Sequence, residues 1–241
     1  MMPELARLDI LAIAVHPDDI EITCGGFMIK MANLGRKTGA LDLAAGEMGT
    51  FGSETDRAAE AAAAGEILGL AYRHNLGLPD SAIEVNQANK LKIANVIRRT
   101  QPELVIIPHW EQRHPDHAAC SRLAFDACFL AGLRKLDIDG EPFRPRKIVY
   151  ASYFRNKDNS FLVDISDSFD TKCRAVAAYQ SQFAEEVTAR RIFMPGVDIY
   201  EMMRVRAAAL GQQVGVQYAE AFTLKEPILY DDPQKMPGQS V

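Results

Sequence analysis

The chain has 241 residues, a net charge of −5 at neutral pH, 48% hydrophobic residues and 24% charged ones. This is an ordinary composition for a soluble globular protein and suits one α/β domain with a sizeable core, or at most two small ones. The acidic balance argues against a general binder of nucleic-acid backbone, which would be basic, and no apolar run reaches the about 18 residues of a membrane-spanning helix.

Residues 1–9 lack the basic and apolar regions of a signal peptide, so the expected compartment is the cytoplasm. The cysteines, Cys24, Cys120, Cys128 and Cys173, have no CxxC spacing and read as reduced thiols. Leu8–Val15 is apolar at every position but Asp9, the pattern of a strand buried on both faces. Ile20–Leu34 then reads as helix, with Gly35 as its stop. Thr38–Ala45 is a second strand, and 46–52 is a glycine-rich loop. Ser53 or Thr55 would cap the alanine-rich helix that follows to about Leu68. Tyr72–Leu76 suits a short strand, Asn86–Thr100 an amphipathic helix and Leu104–Pro108 a strand. Ala118–Leu133 fits a helix, Asp137–Arg146 a loop, Lys147–Phe154 a strand and Phe161–Ile165 a short strand. Asp167–Phe183 and Tyr200–Gly211 read as helices and Ala219–Leu224 as a late strand. Glu185–Asp198 is the expected mobile loop, and the polar tail from Asp231 is expected to be peripheral. Alternation of this kind predicts an α/β, Rossmann-like three-layer sandwich, with a mostly parallel sheet and helices on both faces. No internal repeat or linker interrupts it, so a single domain over 1–241 is expected.

Two clusters stand at strand ends. His16-Pro17-Asp18-Asp19 follows the first apolar run, and His114-Pro115-Asp116-His117 follows the strand ending at Pro108. Ligands of open α/β sheets collect at the carboxyl ends of strands. Imidazole and carboxylate both suit zinc, and a catalytic zinc keeps three protein ligands and one open position. His16 and Asp19 are three residues apart, as are His114 and His117, so each pair shares a face wherever the chain turns helical. Four candidate ligands are then available, and Asp18 and Asp116 remain for proton transfer. Asp18 would equally serve as a simple helix cap. Cys120, three residues after His117, reads as a metal ligand or as a small buried hydrophobe.

The segments VHPDDIE, LDLAAGEMGTFGS, LGLPD and RHPDH, with AYQSQF and YAEAF further on, resemble the PIG-L/LmbE-like zinc-dependent N-acetylglucosamine deacetylases. The resemblance covers nearly the whole chain. It is nearest to the bacillithiol-pathway enzymes, which remove acetate from N-acetylglucosaminyl-malate. It implies one zinc per chain, held by His16, Asp19 and His117, with Fe(II), Co(II) or Mn(II) as other ions the same set would take. It implies that Asp18 is the general base on the metal-activated water. His114, oriented by Asp116, would stabilise the oxyanion or the leaving amine. Arg57 and Arg113 match positions lining the active site, where a guanidinium fork suits a malate carboxylate. Each is also readable as a surface ion-pair arginine. Many relatives carry Tyr where His109 stands, and some use a late tyrosine near the oxyanion, for which Tyr200 is the nearest candidate. Asp80 in LGLPD reads as a sugar-hydroxyl contact or as a turn residue. The implied partner is a small amino-sugar conjugate, with no nucleic acid and no membrane, and the implied assembly is a homo-oligomer, hexamers among them. An inositol conjugate or a chitobiose-like sugar is the alternative substrate. The rivals are a phosphohydrolase, which would need two adjacent metals, and a non-catalytic sugar- or metal-binding module.

Overall fold

The computed structural model describes residues 7–152, 159–188, 198–232 and 234. Seven strands form one sheet: β1 (Ile10–Ala14), β2 (Thr38–Asp42), β3 (Tyr72–Asn75), β4 (Leu104–Pro108), β5 (Lys147–Ala151), β6 (Phe161–Asp164) and β7 (Ala219–Thr223). Their order is β3-β2-β1-β4-β5-β7-β6. The β3-to-β5 portion is parallel, and β7 runs antiparallel between β5 and β6. The helices are α1 (Asp19–Asn33), α2 (Glu54–Leu68), α3 (Gln87–Thr100), α4 (Pro115–Ala131), α5 (Phe169–Ala177), α6 (Gln180–Phe183), α7 (Glu185–Thr188) and α8 (Ile199–Gln212). The architecture is the expected α/β sandwich.

The apolar runs explain why β1 and β4 lie inside it. Successive strand side chains point to opposite faces. Leu11 and Ile13 of β1 therefore pack in one core with Ile93, Ile97 and Leu123 of α3 and α4. Ile10, Ala12 and Ala14 pack in the other with Phe27 and Met28 of α1 and Ala175 of α5. Each fully buried Leu or Ile contributes about 1.5–3 kcal/mol, so a strand apolar on both faces is stable only between two helical layers. Among the described residues, no helix is long and apolar enough to cross a membrane.

Local signals set several boundaries. Ser53 caps α2, accepting the Asp56 amide while the Asp56 carboxylate reaches back to the Ser53 amide, a reciprocal capping box. Gly35, at φ 79, ends α1. The expected helix over Asp167–Phe183 is instead a short 3-10 turn followed by α5 and α6. Tyr179 breaks it at φ −84, ψ 67. Its ring is fully buried, and its hydroxyl donates to Glu21 Oε1 at 3.0 Å, a tertiary tether that outweighs helix continuity. Of the expected mobile loop, Glu185–Thr188 is helical and 189–197 lie outside the described residues. So do Tyr153 and Phe154 of the expected fifth strand and most of the tail.

α1 is broken from within. Cys24 leaves helical geometry at φ −141, ψ 17. Glu220 of β7 accepts the Gly26 and Phe27 amides just beyond the break, at 3.0 and 2.7 Å. Lys172 neutralises that buried carboxylate at 2.6 Å. Gly26 lets the Ile165 side chain pack against this turn, because a Cβ there would lie 2.8 Å from it.

Candidate functional site

β1 and β4 are parallel neighbours, with Ile10 opposite Leu104 and Ala12 opposite Ile106. Their carboxyl ends therefore deliver the two His-Pro-Asp segments side by side. A cavity of about 650 Å³ opens there, lined by His16, Asp18, Asp19, Arg57, Arg113, His114 and His117. The glycine-rich loop contributes Gly46, Met48 and Gly49, and Asp80, Gln182 and Met202 complete much of the wall.

The first segment is a tight turn. Asp18 sits at φ 115, ψ −27, in the left-handed region that costs a non-glycine residue of order 1–3 kcal/mol unless its surroundings enforce it. Arg57, itself buried, enforces it by donating Nη2 to the Pro17 carbonyl and to Asp18 Oδ2, the latter at 3.2 Å. Burial pushes the Asp18 carboxyl up to about 7, even against the Arg57 charge. Asp19 folds back, and its Oδ2 accepts the Val15 and His16 amides at 3.2 and 2.9 Å. The same oxygen lies 3.3 Å from His117 Nε2 and 3.7 Å from His16 Nδ1. Burial opposes ionisation of Asp19, but His117 and His16 outweigh it and hold the carboxyl well below the usual range. Behind Asp19, Glu21 is tied to Arg73 at 2.5 Å, and Arg73 forks onto Asp42 at 2.8 and 3.1 Å.

The second segment opens α4. Pro115 takes the first helical position, and His114 Nδ1 accepts the Asp116 amide at 3.2 Å. Asp116 thus meets His114 through its backbone, whereas the resemblance implied orientation by its carboxylate. Asp116 Oδ2 is buried with no hydrogen-bond partner among the described residues. Burial lowers His117, favouring a neutral imidazole. Burial would also lower His16, yet Asp19 and Asp80 override it and hold it at about 10.

These residues fit a metal ion. Ligand atoms of His16, Asp19 and His117 lie within 4.8 Å of one another, as do those of His16, Asp80 and Asp116. Two imidazoles and a carboxylate are the donor set of many catalytic zinc sites, and a neutral imidazole beside an ionised carboxylate is the state that binds.

Other expected residues stand elsewhere. Tyr200 packs at the start of α8 against the cluster of Ile199 and Met203, and Met202 lines the cavity from that helix. His109 stacks on Trp110 at 3.9 Å, its Nδ1 accepting the Glu111 amide, and is not among the lining residues. Cys120 is fully buried, and burial pushes its thiol well up, as for a core hydrophobe. The sequence did not disclose the Arg73 network or the contact of Asp80 with His16. For Asp80 the signals were its place in LGLPD and the proline beside it, and neither points to His16.

The family model described as PIG-L, GlcNAc-PI de-N-acetylase, matches residues 11–128. The chain is 31% identical over 226 residues to diacetylchitobiose deacetylase of Thermococcus kodakarensis, spanning 88% of this chain and 80% of that protein. Among solved structures it is similar to the conserved protein TT1542 from Thermus thermophilus, with a TM-score of 0.85 and 42% identity over 92% of this chain and 97% of that one. The N,N'-diacetylchitobiose deacetylase from Pyrococcus horikoshii shares the fold, with a TM-score of 0.78 at 24% identity over 89% of this chain and 82% of that one. With both His-Pro-Asp segments at the ends of adjacent strands inside the matched region, the chain belongs to the PIG-L family of de-N-acetylases.

Proposed function

We propose that this protein is a metal-dependent hydrolase that removes the acetyl group from an N-acetylated glucosamine conjugate. One observation carries the reading: the cavity that gathers His16, Asp19 and His117 also holds a second buried carboxylate, Asp18, outside that donor group. His16, Asp19 and His117 are the residues that would hold the ion. Bound zinc lowers the pKa of a water to about 7 and polarises a carbonyl oxygen. Asp18, with its carboxyl pushed up to about 7, is matched to take a proton from water near neutral pH. Arg57 fixes the direction of that carboxylate. His114 uses Nδ1 on the helix amide, which leaves its Nε2–H to donate to the developing oxyanion, and the proton taken up by Asp18 is the one that would pass to the departing amine. The products are acetate and a free amino sugar. Both donor groups draw on His16, so we read one metal centre, which disfavours a two-metal phosphohydrolase.

For the substrate, we infer N-acetylglucosaminyl-malate. Arg113 on the cavity wall supports it, as a guanidinium suited to a carboxylate. Arg57 supports it less, being committed to Pro17 and Asp18. Diacetylchitobiose is the second reading, favoured by the name of the Thermococcus relative. An acetate-release assay on the metal-loaded protein tests both, with the malate conjugate, its inositol analogue, free N-acetylglucosamine and diacetylchitobiose as substrates. Preference for the malate conjugate is expected. Preference for the disaccharide would overturn the substrate, and no acetate from any member would overturn the function.

A further inference from the structure

Asp80 lines the cavity, 8% exposed, and the chain itself occupies both of its carboxylate oxygens. Oδ1 lies 2.7 Å from His16 Nε2, and Oδ2 accepts the Met48 amide at 3.1 Å. The Asp80 amide donates to Glu47 Oε1 at 2.7 Å. An ionised carboxylate only accepts hydrogen bonds, so the hydrogen between the two residues belongs to His16 Nε2. When the ring is neutral, its lone pair is then on Nδ1. That nitrogen faces Asp19, whose Oδ2 is also the oxygen beside His117 Nε2.

We propose that Asp80 is a positioning residue for the metal: it fixes His16 as the Nε2–H tautomer with Nδ1 presented to the ion, and through Met48 and Glu47 it ties the glycine-rich loop to that ligand. The inference rests on the reading of His16, Asp19 and His117 as the metal ligands. It differs from both roles that the LGLPD segment suggested, because the carboxylate is spent on a ligand and a loop. Carboxylates that orient ligating histidines in this way are worth about 10–100-fold in metal affinity.

The test measures zinc affinity of the full chain by competition with a chromophoric chelator, for wild type, Asp80→Asn and Asp80→Ala. The visible spectrum of the cobalt-loaded proteins is the second readout. Both variants are expected to bind zinc about 10–100-fold more weakly, with the wild-type cobalt spectrum once saturated. Should Asp80→Ala not fold, the isosteric Asp80→Asn carries the test. Wild-type affinity in the variants with a raised KM would make Asp80 a substrate contact and overturn the proposal. A cobalt spectrum that reports a lost ligand would make Asp80 a ligand itself and equally overturn it. Wild-type protein that binds no metal would instead overturn the metal-centre reading beneath it.

Discussion

The segments His16–Asp19 and His114–His117 begin with the same three residues and follow adjacent parallel strands, yet they are held in opposite ways. The second is carried by its helix: Pro115 opens α4, His114 caps it, and the 17 residues run without a break. The first enters α1 two residues later in its motif, at Asp19, with Asp18 at positive φ and no side-chain cap. Its geometry comes from distant partners, Arg57 on Pro17 and Asp18, and Asp80 on His16. A segment stabilised by local rules keeps its shape when its environment changes. One stabilised by tertiary contacts presents side chains that no regular element would present, among them the Asp18 carboxylate beside the candidate ligand Asp19.

The sharpest way to break this division is to remove one residue from each segment. His117→Ala is expected to lose nearly all bound metal, measured by elemental analysis, and acetate release with it. Asp18→Asn should keep its metal and lose about 10²–10⁴-fold in kcat. Equal metal loss in both variants would contradict the division of labour. The next effect is a pH dependence. Without metal, His16 stays protonated up to about 10, and a metal must displace that proton. Affinity should therefore rise about tenfold per pH unit from pH 7 to 9, as expected for one proton released, and a flat profile in chelator competition would count against His16 as a ligand. Smaller effects address the backbones. His114→Ala should lower stability in urea unfolding by about 1 kcal/mol, while His114→Ser restores the cap without restoring activity. Asp18→Gly should be more stable than Asp18→Ala by about 1 kcal/mol, because only glycine takes φ 115 without strain. The reverse order would show that the turn is not strained.

What the sequence disclosed follows the same line. β1 and β4 are legible because burial on both faces demands apolar runs, and the ends of α1 and α2 because Gly35 and Ser53 act within a few residues of themselves. The two metal-candidate segments were legible for the same reason, as dense His and Asp at strand ends. Contacts that depend on residues far apart in the chain were not. The break before α6 rests on Tyr179 meeting Glu21, 158 residues away. Asp80 meets His16 across 64 residues, and in the chain LGLPD suggests only a sugar contact or a turn. Arg57 reads in the sequence as a substrate contact or as a surface ion-pair arginine, and its burial against Asp18 depends on how α2 packs beside the first turn of α1.

The break in α1 at Cys24 has a mechanical consequence. A continuous helix would act as a lever, passing any shift in its distal turns to Asp19 at its head. Here the rod is cut after one turn, and the distal part is clamped separately by Glu220 and Lys172. A shift of the buried Phe27–Ile29 turn is thereby absorbed at the break and at the Glu220–Lys172 clamp, and the candidate ligands at the head of the helix keep their places.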